Sequence, residues 1–245
     1  MRTAATEWDP VEFTARLWAC RQRYWDTHPF HVRMHQGALD KAAVQAWVAN
    51  RWYYQKSLPA KNAAIVSNCP IPEVRRHWLP RIAFQDGGTG TEGGLSDWLI
   101  LAEAVGLSRE EVLDERHVLP GVRFAVDSYV TFARTRPWIQ SVAASLTELF
   151  SPDLMLDRVA VFRRHYPWIA AEGSAYFENR IEQVSIDSAY TLDLVVAHCV
   201  GREQQEAALA ALAFKCDVLW HILDSIEHGA SCQEHEPRYT EGSMA

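Results

Sequence analysis

Apolar residues recur along this chain at spacings of three and four, with no convincing two-residue alternation, so the pattern reads as helical throughout. Asp9-Pro10 with Glu12 predicts a first helix over 11–24. The run "LDKAAVQAWVANRWYYQKSLPAKNAAIVSNC" opens after Asp40, and Pro59 inside it predicts a kink or a break. Pro72 opens a helix to about 85, and "LSDWLILAEAVG" is another, ended by Gly106. Between them "FQDGGTGTEGG" is rich in glycine. It lacks the lysine and spacing of a phosphate-binding loop and reads as a linker. Ser108 with Glu111 is a capping box, and Pro120 and Pro137 each open a further helix. In "SLTELFSPDLMLDR", Ser151 is the N-cap, Pro152 the first helical residue and Asp153 a favourable first-turn charge. Pro167 starts the helix carrying "AYFENRIEQ"; helices over 187–200 and 203–228 follow, with Gly229 beyond the end and a polar, frayed tail from Ala230. Roughly ten helices with short connections and no internal repeat predict one all-α domain over 1–245, a compact helical bundle.

Cations interrupt the apolar stripes. Val44, Trp47, Val48, Arg51, Gln55 and Leu58 share one helical face; Val74, Trp78, Arg81, Ile82 and Gln85 share another. Leu154, Arg158, Val161, Phe162 and His165 form a third, and Ile169, Gly173, Tyr176, Phe177 and Arg180 a fourth. Lys215 lies among Ala208, Leu212, Leu219 and Ile222, and Tyr129 among Val122, Val126 and Ala133. Lys61 follows Pro59 as a sixth cation. One such residue is ordinarily a side chain laying its methylenes on apolar surface with the charge in water. Some could pair with Glu148, Asp86 or Asp127. Several buried cations need more compensation than those carboxylates supply, because an unpartnered buried charge costs several kcal/mol. A bound polyanion would supply it, and arginine suits carboxylate or phosphate.

Composition narrows the partners. Lys plus Arg number 24 against 31 for Asp plus Glu, a formal charge of −7, which argues against nucleic acid. No apolar run approaches the roughly 20 residues of a membrane span, and "MRTAATEWDP" has no apolar signal core. Five cysteines without a CxxC spacing read as reduced thiols of a cytoplasmic protein. Ten tryptophans indicate a large core before they indicate an aromatic-lined pocket.

The stretches "HPFHVRMHQG", "WVANRWYYQ", "NCP", "EVRRHWLPRI", "GLSREEVLDERHVLPGVRFAVDSYVTFAR", "SLTELFSP", "HYPWI", "YF" and "FKCDVLW" closely resemble the pyrroloquinoline-quinone (PQQ) synthase family, over about residues 13–224. The resemblance implies a seven-helix bundle related to haem oxygenase and the thiaminase-like proteins, as a homodimer. It implies ring closure and oxidation of a tricarboxylated quinone precursor by O2, without metal or other cofactor, with PQQ as product and release of hydrogen peroxide. It also implies a small polycarboxylate quinone ligand held by Arg51, Gln55, Lys61, Arg81, Tyr129 and Arg158, with Tyr176, Arg180, Lys215 and Glu148 as catalytic residues.

The resemblance fails at three positions, where the family carries pocket histidines and this chain has Trp25, Gln85 and Met155. None of these side chains exchanges a proton near neutral pH, whereas histidine does. His28, His31 and His35 have family counterparts and read as structural or surface residues rather than replacements. Two further readings therefore stand beside the synthase: a protein that binds PQQ or its precursor without turnover, and a related oxidase of another quinoid or aromatic precursor. A metal oxidase would need carboxylate and histidine ligands converging on one point. A thiaminase-like role would need a cysteine nucleophile with an adjacent base, and Cys69 and Cys216 read as ordinary buried thiols.

Overall fold

The computed structural model describes residues 6–90 and 92–233, with the backbone alone described at 152–153, 181–187 and 230–233. Among the described residues there are eleven α-helices: α1 (Pro10–Ala19), α2 (Pro29–His35), α3 (Lys41–Asn68), α4 (Pro72–Asp86), α5 (Gly93–Ala104), α6 (Arg109–Leu113), α7 (Pro120–Thr135), α8 (Trp138–Ala144), α9 (Pro152–His165), α10 (Ala175–His198) and α11 (Arg202–Gln233). Seven of these, α3, α4, α5, α7, α9, α10 and α11, run for twelve residues or more. Short 3₁₀ turns cover Cys20–Arg23, Trp25–Thr27, Ser145–Phe150 and Ala171–Ser174. Helix α3 packs on α4 and α7, α11 packs on α7 and α8, and α10 packs on α9. The apolar stripes meet in one continuous core that includes Val44, Val48, Trp78, Val122, Val126, Leu212, Leu219 and Ile222.

Several helix ends follow their sequence signals. Asp9 caps α1 by accepting from Glu12 N at 2.8 Å, and Asp40 caps α3 by accepting from Ala43 N at 2.7 Å. Ser108 and Glu111 form both halves of the capping box. Gly106 adopts φ +89° just past α5, a left-handed conformation that glycine takes without strain. The glycine-rich segment is a linker, although Phe84–Asp86 finish α4 and Gly93-Gly94 begin α5.

Other boundaries differ. The first helix stops at Ala19 rather than 24, because residues 20–23 tighten into a 3₁₀ turn and Tyr24 becomes extended at ψ 151°. Pro59 does not break α3, which runs continuously through it. A proline leaves the carbonyl four residues earlier without its helical donor, here Gln55 O. Gln85 Nε2 of α4 donates to that oxygen at 3.3 Å, so a tertiary contact replaces the missing bond. Ser151 occupies the N-cap position of α9 with Pro152 after it, but its side chain makes no capping bond; the hydroxyl donates back to Glu148 O at 2.9 Å. Pro167 does not start a helix, and α10 begins at Ala175 and runs unbroken through the division predicted near 187. Gly229 lies inside α11, which continues to Gln233, so the predicted frayed tail is helical at 230–233; its remainder lies outside the described residues.

Both explanations of the tryptophans hold. Trp78 and Trp98 are fully buried, while Trp25, Trp47 and Trp98 line an internal cavity. Cys20, Cys69, Cys199 and Cys216 are free thiols; the Cys232 side chain lies outside the described residues. Among the described residues no helix is long and apolar enough to cross a membrane.

Candidate functional site

The cavity lies where α3, α9, α10, α11 and the 3₁₀ segment Ser145–Phe150 face one another. The lining includes Arg51, Gln55 and Lys61 from α3, Tyr129 from α7, and Met155 and Arg158 from α9. Tyr176 and Arg180 come from α10, Lys215 from α11, and Glu148 from the 3₁₀ segment. Five cations and one carboxylate thus share a wall with Trp25, Trp47 and Trp98. Nine of the ten predicted ligand-binding or catalytic residues are brought together. The exception is Arg81, which does not line the cavity but sits behind Glu148. Its NH1 donates to Glu148 Oε2 at 2.5 Å and its NH2 to Thr191 Oγ1 at 2.9 Å. Asp127 accepts instead from Tyr53 Oη at 2.7 Å and Asp86 is exposed, so neither neutralises the site.

The cations differ in their surroundings. Arg180 NH2 lies 3.9 Å from Glu148 Oε1, so two arginines face one carboxylate. Burial would raise the Glu148 pKa, but Arg81, Arg180 and Lys61 outweigh it and hold the carboxyl below its ordinary value. Lys61 Nζ donates to Ser145 Oγ at 3.1 Å. The Arg51 guanidinium stacks over the Tyr54 ring at 4.3 Å. Arg158 lies 3% exposed, with NH1 against Met34 Sδ and NH2 3.1 Å from His31 Nδ1. Burial and then Arg51 lower the Arg158 pKa to about 9, so the guanidinium stays charged at neutral pH. Burial and that charge drive His31 down to about 2, so its ring is neutral, and Nδ1 accepts from Arg158 because a guanidinium can only donate.

A hydrogen-bonded chain joins α4, α3 and α10. Tyr176 Oη donates to Gln55 Oε1 at 2.8 Å, Arg180 NH1 donates to Tyr176 Oη at 3.2 Å, and Gln85 Nε2 also reaches Gln55 Oε1 at 3.3 Å. Gly173 lets the 3₁₀ turn that leads into α10 approach α5, since a Cβ there would meet Ala104 Cβ at 2.9 Å. Trp25 and Met155 stand on the cavity wall, whereas Gln85 holds the Gln55 backbone and amide from behind. His28 and His31 are buried structural residues: His28 Nδ1 accepts from Phe30 N at 3.1 Å at the start of α2 and its Nε2 meets Asp224 at 3.1 Å.

Tyr54, Ser145 and Thr147 also line the cavity and escaped the stripe argument. Tyr54 lies three residues after Arg51, a spacing that could have revealed the stacked pair. Ser145 and Thr147 sit in a 3₁₀ turn, to which α-helical spacing does not apply.

The model of the TENA/THI-4/PQQC family matches residues 15–225 of the chain. Curated pyrroloquinoline-quinone synthases from Cronobacter sakazakii and Pseudomonas aeruginosa are each 50% identical to it, over 89% of this chain and 86% and 87% of theirs. The chain belongs to the TENA/THI-4/PQQC family. Within that family it falls with the pyrroloquinoline-quinone synthases; the one from Acinetobacter baylyi is 45% identical over 96% of this chain and 92% of its own. The family fold extends to solved structures at low identity. A TenA homolog from Pseudomonas syringae has a TM-score of 0.69 at 11% identity, covering 89% of this chain and 92% of that one. A domain of unknown function with a heme oxygenase-like fold from Shewanella denitrificans has a TM-score of 0.74 at 12% identity, covering 96% and 99%. The expected haem-oxygenase-like, thiaminase-like bundle is therefore the fold observed. Among the described residues of this family member, no three His, Cys, Asp or Glu side chains converge as a metal site.

Proposed function

We propose that the protein acts in PQQ biosynthesis as a cofactor-independent oxidase, using O2 to close and oxidise the tricarboxylated precursor in this cavity. The observation that carries the reading is the lining itself, in which Arg51, Lys61, Arg158, Arg180 and Lys215 face a single carboxylate among aromatic walls. Such a surface suits a flat polycarboxylate: arginine forks take carboxylates, and the rings take the faces of a planar ligand. Arg51 and Arg158 hold the carboxylates, and Tyr176, Arg180, Lys215 and Glu148 contact the reacting ring. The working form is a homodimer in the cytoplasm. The test is aerobic mixing of the purified protein with the precursor while absorbance, O2 uptake and peroxide are followed. The synthase reading requires the PQQ spectrum to appear with stoichiometric O2 consumption.

A second reading, binding without turnover, is favoured by Trp25, Gln85 and Met155. Gln85 is committed to the Gln55 carbonyl and amide, and none of the three can act as a general base. In the same experiment this reading requires a shift of the ligand spectrum with no O2 consumed.

A further inference from the structure

The side-chain amide of Gln55 is oriented by another helix, and the cause lies in its own backbone. Pro59 leaves Gln55 O without the helical N–H that would reach it, and Gln85 Nε2 from α4 donates to that oxygen at 3.3 Å. A backbone carbonyl can only accept. The Gln85 amide therefore has one usable orientation, with its NH2 toward α3. The same nitrogen reaches Gln55 Oε1, also at 3.3 Å. At the other end Gln85 Oε1 is buried without a partner, on the side of Gly94, where a Cβ would lie 3.2 Å from it. The orientation is imposed from the α3 side and kept at the cost of an unmatched acceptor on the other.

The next link follows from the first. A Gln55 NH2 turned toward Gln85 would set donor against donor, so Gln55 Oε1 faces Gln85 instead. Tyr176 does not decide the matter, because a hydroxyl serves as donor or acceptor. Its proton goes to Gln55 Oε1 at 2.8 Å and its oxygen accepts from Arg180 NH1 at 3.2 Å. Gln85 and Tyr176 together fill both lone pairs of Gln55 Oε1. Gln55 Nε2 makes no hydrogen bond with the described residues, and Gln55 lines the cavity with Tyr176 and Arg180.

We propose that Gln85 is a positioning residue of the cavity: by filling the proline gap in α3 it fixes the polarity of the Gln55 amide, so that the site offers N–H donors at this point and selects an acceptor oxygen, carboxylate or quinone carbonyl, on the ligand. Gln85 is not on the cavity wall and acts only through Gln55. The proposal rests on the anionic-ligand reading above and adds the device that turns a neutral amide of the wall the right way round for it. One side chain thus has two duties, satisfying Gln55 O for the stability of α3 and holding Gln55 Oε1 away from the ligand.

The test separates those duties in the full chain by thermal unfolding and by titration calorimetry with PQQ. The proteins compared are the unaltered chain, Gln85→Met, Pro59→Ala and the double variant. Methionine keeps the length of the side chain without its hydrogen bonds, and Pro59→Ala gives Gln55 O a helical donor again. Gln85→Met should melt about 2–6 °C lower, and most of that loss should vanish in the Pro59→Ala background. The dissociation constant for PQQ should rise about 3- to 10-fold on Gln85→Met in both backgrounds, because the released Gln55 amide turns its oxygen toward the ligand. A purely structural residue would recover binding together with stability. The NH2 resonances of Gln55, assigned by their loss in Gln55→Glu, give the spectroscopic signature without altering Gln85. They should move downfield when PQQ binds the unaltered protein, and less in Gln85→Met. Binding unchanged by Gln85→Met, binding restored by Pro59→Ala, or Gln55 NH2 resonances that PQQ does not move each overturns the proposal. Failure of the unaltered protein to bind PQQ instead overturns the anionic-ligand reading beneath it.

Discussion

Replacing Arg81 with alanine tests whether this residue serves the ligand or the protein. By sequence it reads as a ligand contact, but in the fold its guanidinium is spent on Glu148 at 2.5 Å and Thr191 at 2.9 Å. The two ionised side chains are 6% and 20% exposed. Removing one partner of a buried pair costs about 3–5 kcal/mol, because the other charge stays behind. Arg180, 3.9 Å from the second Glu148 oxygen, offsets part of this, so the lower end applies, about 3 kcal/mol. At about 2–4 °C per kcal/mol for a chain of this size, Arg81→Ala should melt about 6–12 °C below the unaltered protein. The pH dependence has a definite sign. Glu148 is held below its ordinary carboxyl value, so the pairing contributes fully above the unfolded carboxylate pKa of about 4.3 and is lost as pH falls through the folded value. The Arg81→Ala deficit should therefore be largest near neutrality and shrink in acid. Thermal unfolding of the unaltered protein, Arg81→Ala, Glu148→Gln and the double variant completes the cycle, with Glu148→Gln recovering part of the loss in the Arg81→Ala background. Melting points within about 2 °C at pH 7 would refute the reasoning, since they mean less than about 1 kcal/mol was at stake.

Arg51→Ala, which removes a cation on the cavity wall, should weaken PQQ binding by about 10- to 100-fold, the value of one charge-assisted contact; calorimetry at two salt concentrations should also show weaker binding at the higher one. The neutral, buried His31 has a depressed pKa of about 2, so the stability it carries is complete above the unfolded value of about 6.5 and is lost on acidification, by roughly 2 kcal/mol between pH 6.5 and 5. Urea unfolding at pH 7 and 5 should show this drop and a shallower one in His31→Gln; parallel curves would refute it. Gly173→Ala should lose about 1–3 kcal/mol in the same assay, because its Cβ would meet Ala104 at 2.9 Å. Trp25→His, Gln85→His and Met155→His combined in one chain should raise precursor turnover, since acid–base groups typically contribute about 10²–10⁴-fold each. Fast turnover by the unaltered protein would show that histidines are not needed at these positions.

The sequence by itself determined the helices, their inward faces and the charges on those faces. Val44, Val48, Arg51, Gln55 and Leu58 share a stripe because helical spacing fixes which side chains stand above one another, and that is a local property. The same spacing put Lys215 among leucines and Arg158 beside Phe162, so a cationic interior was legible before any packing was known. What the stripes could not decide was depth and partnership. Arg51 and Arg81 look alike in their helices, yet one lines the cavity and the other is sealed behind Glu148, because that carboxylate arrives from a segment 67 residues away from Arg81. Pro59 predicted a kinked or broken helix because its missing bond is local; α3 stays unbroken, and Gln85, 30 residues from Gln55, supplies the donor. The surroundings of Lys215 belong to the same class. On its own helix it shares a stripe with Ala208, Leu212, Leu219 and Ile222, but the two tyrosine rings and the repelling Arg51 and Lys61 come from helices that meet it only in the folded chain. Burial and charge–charge distance are properties of three-dimensional proximity, and no one-dimensional pattern carries them.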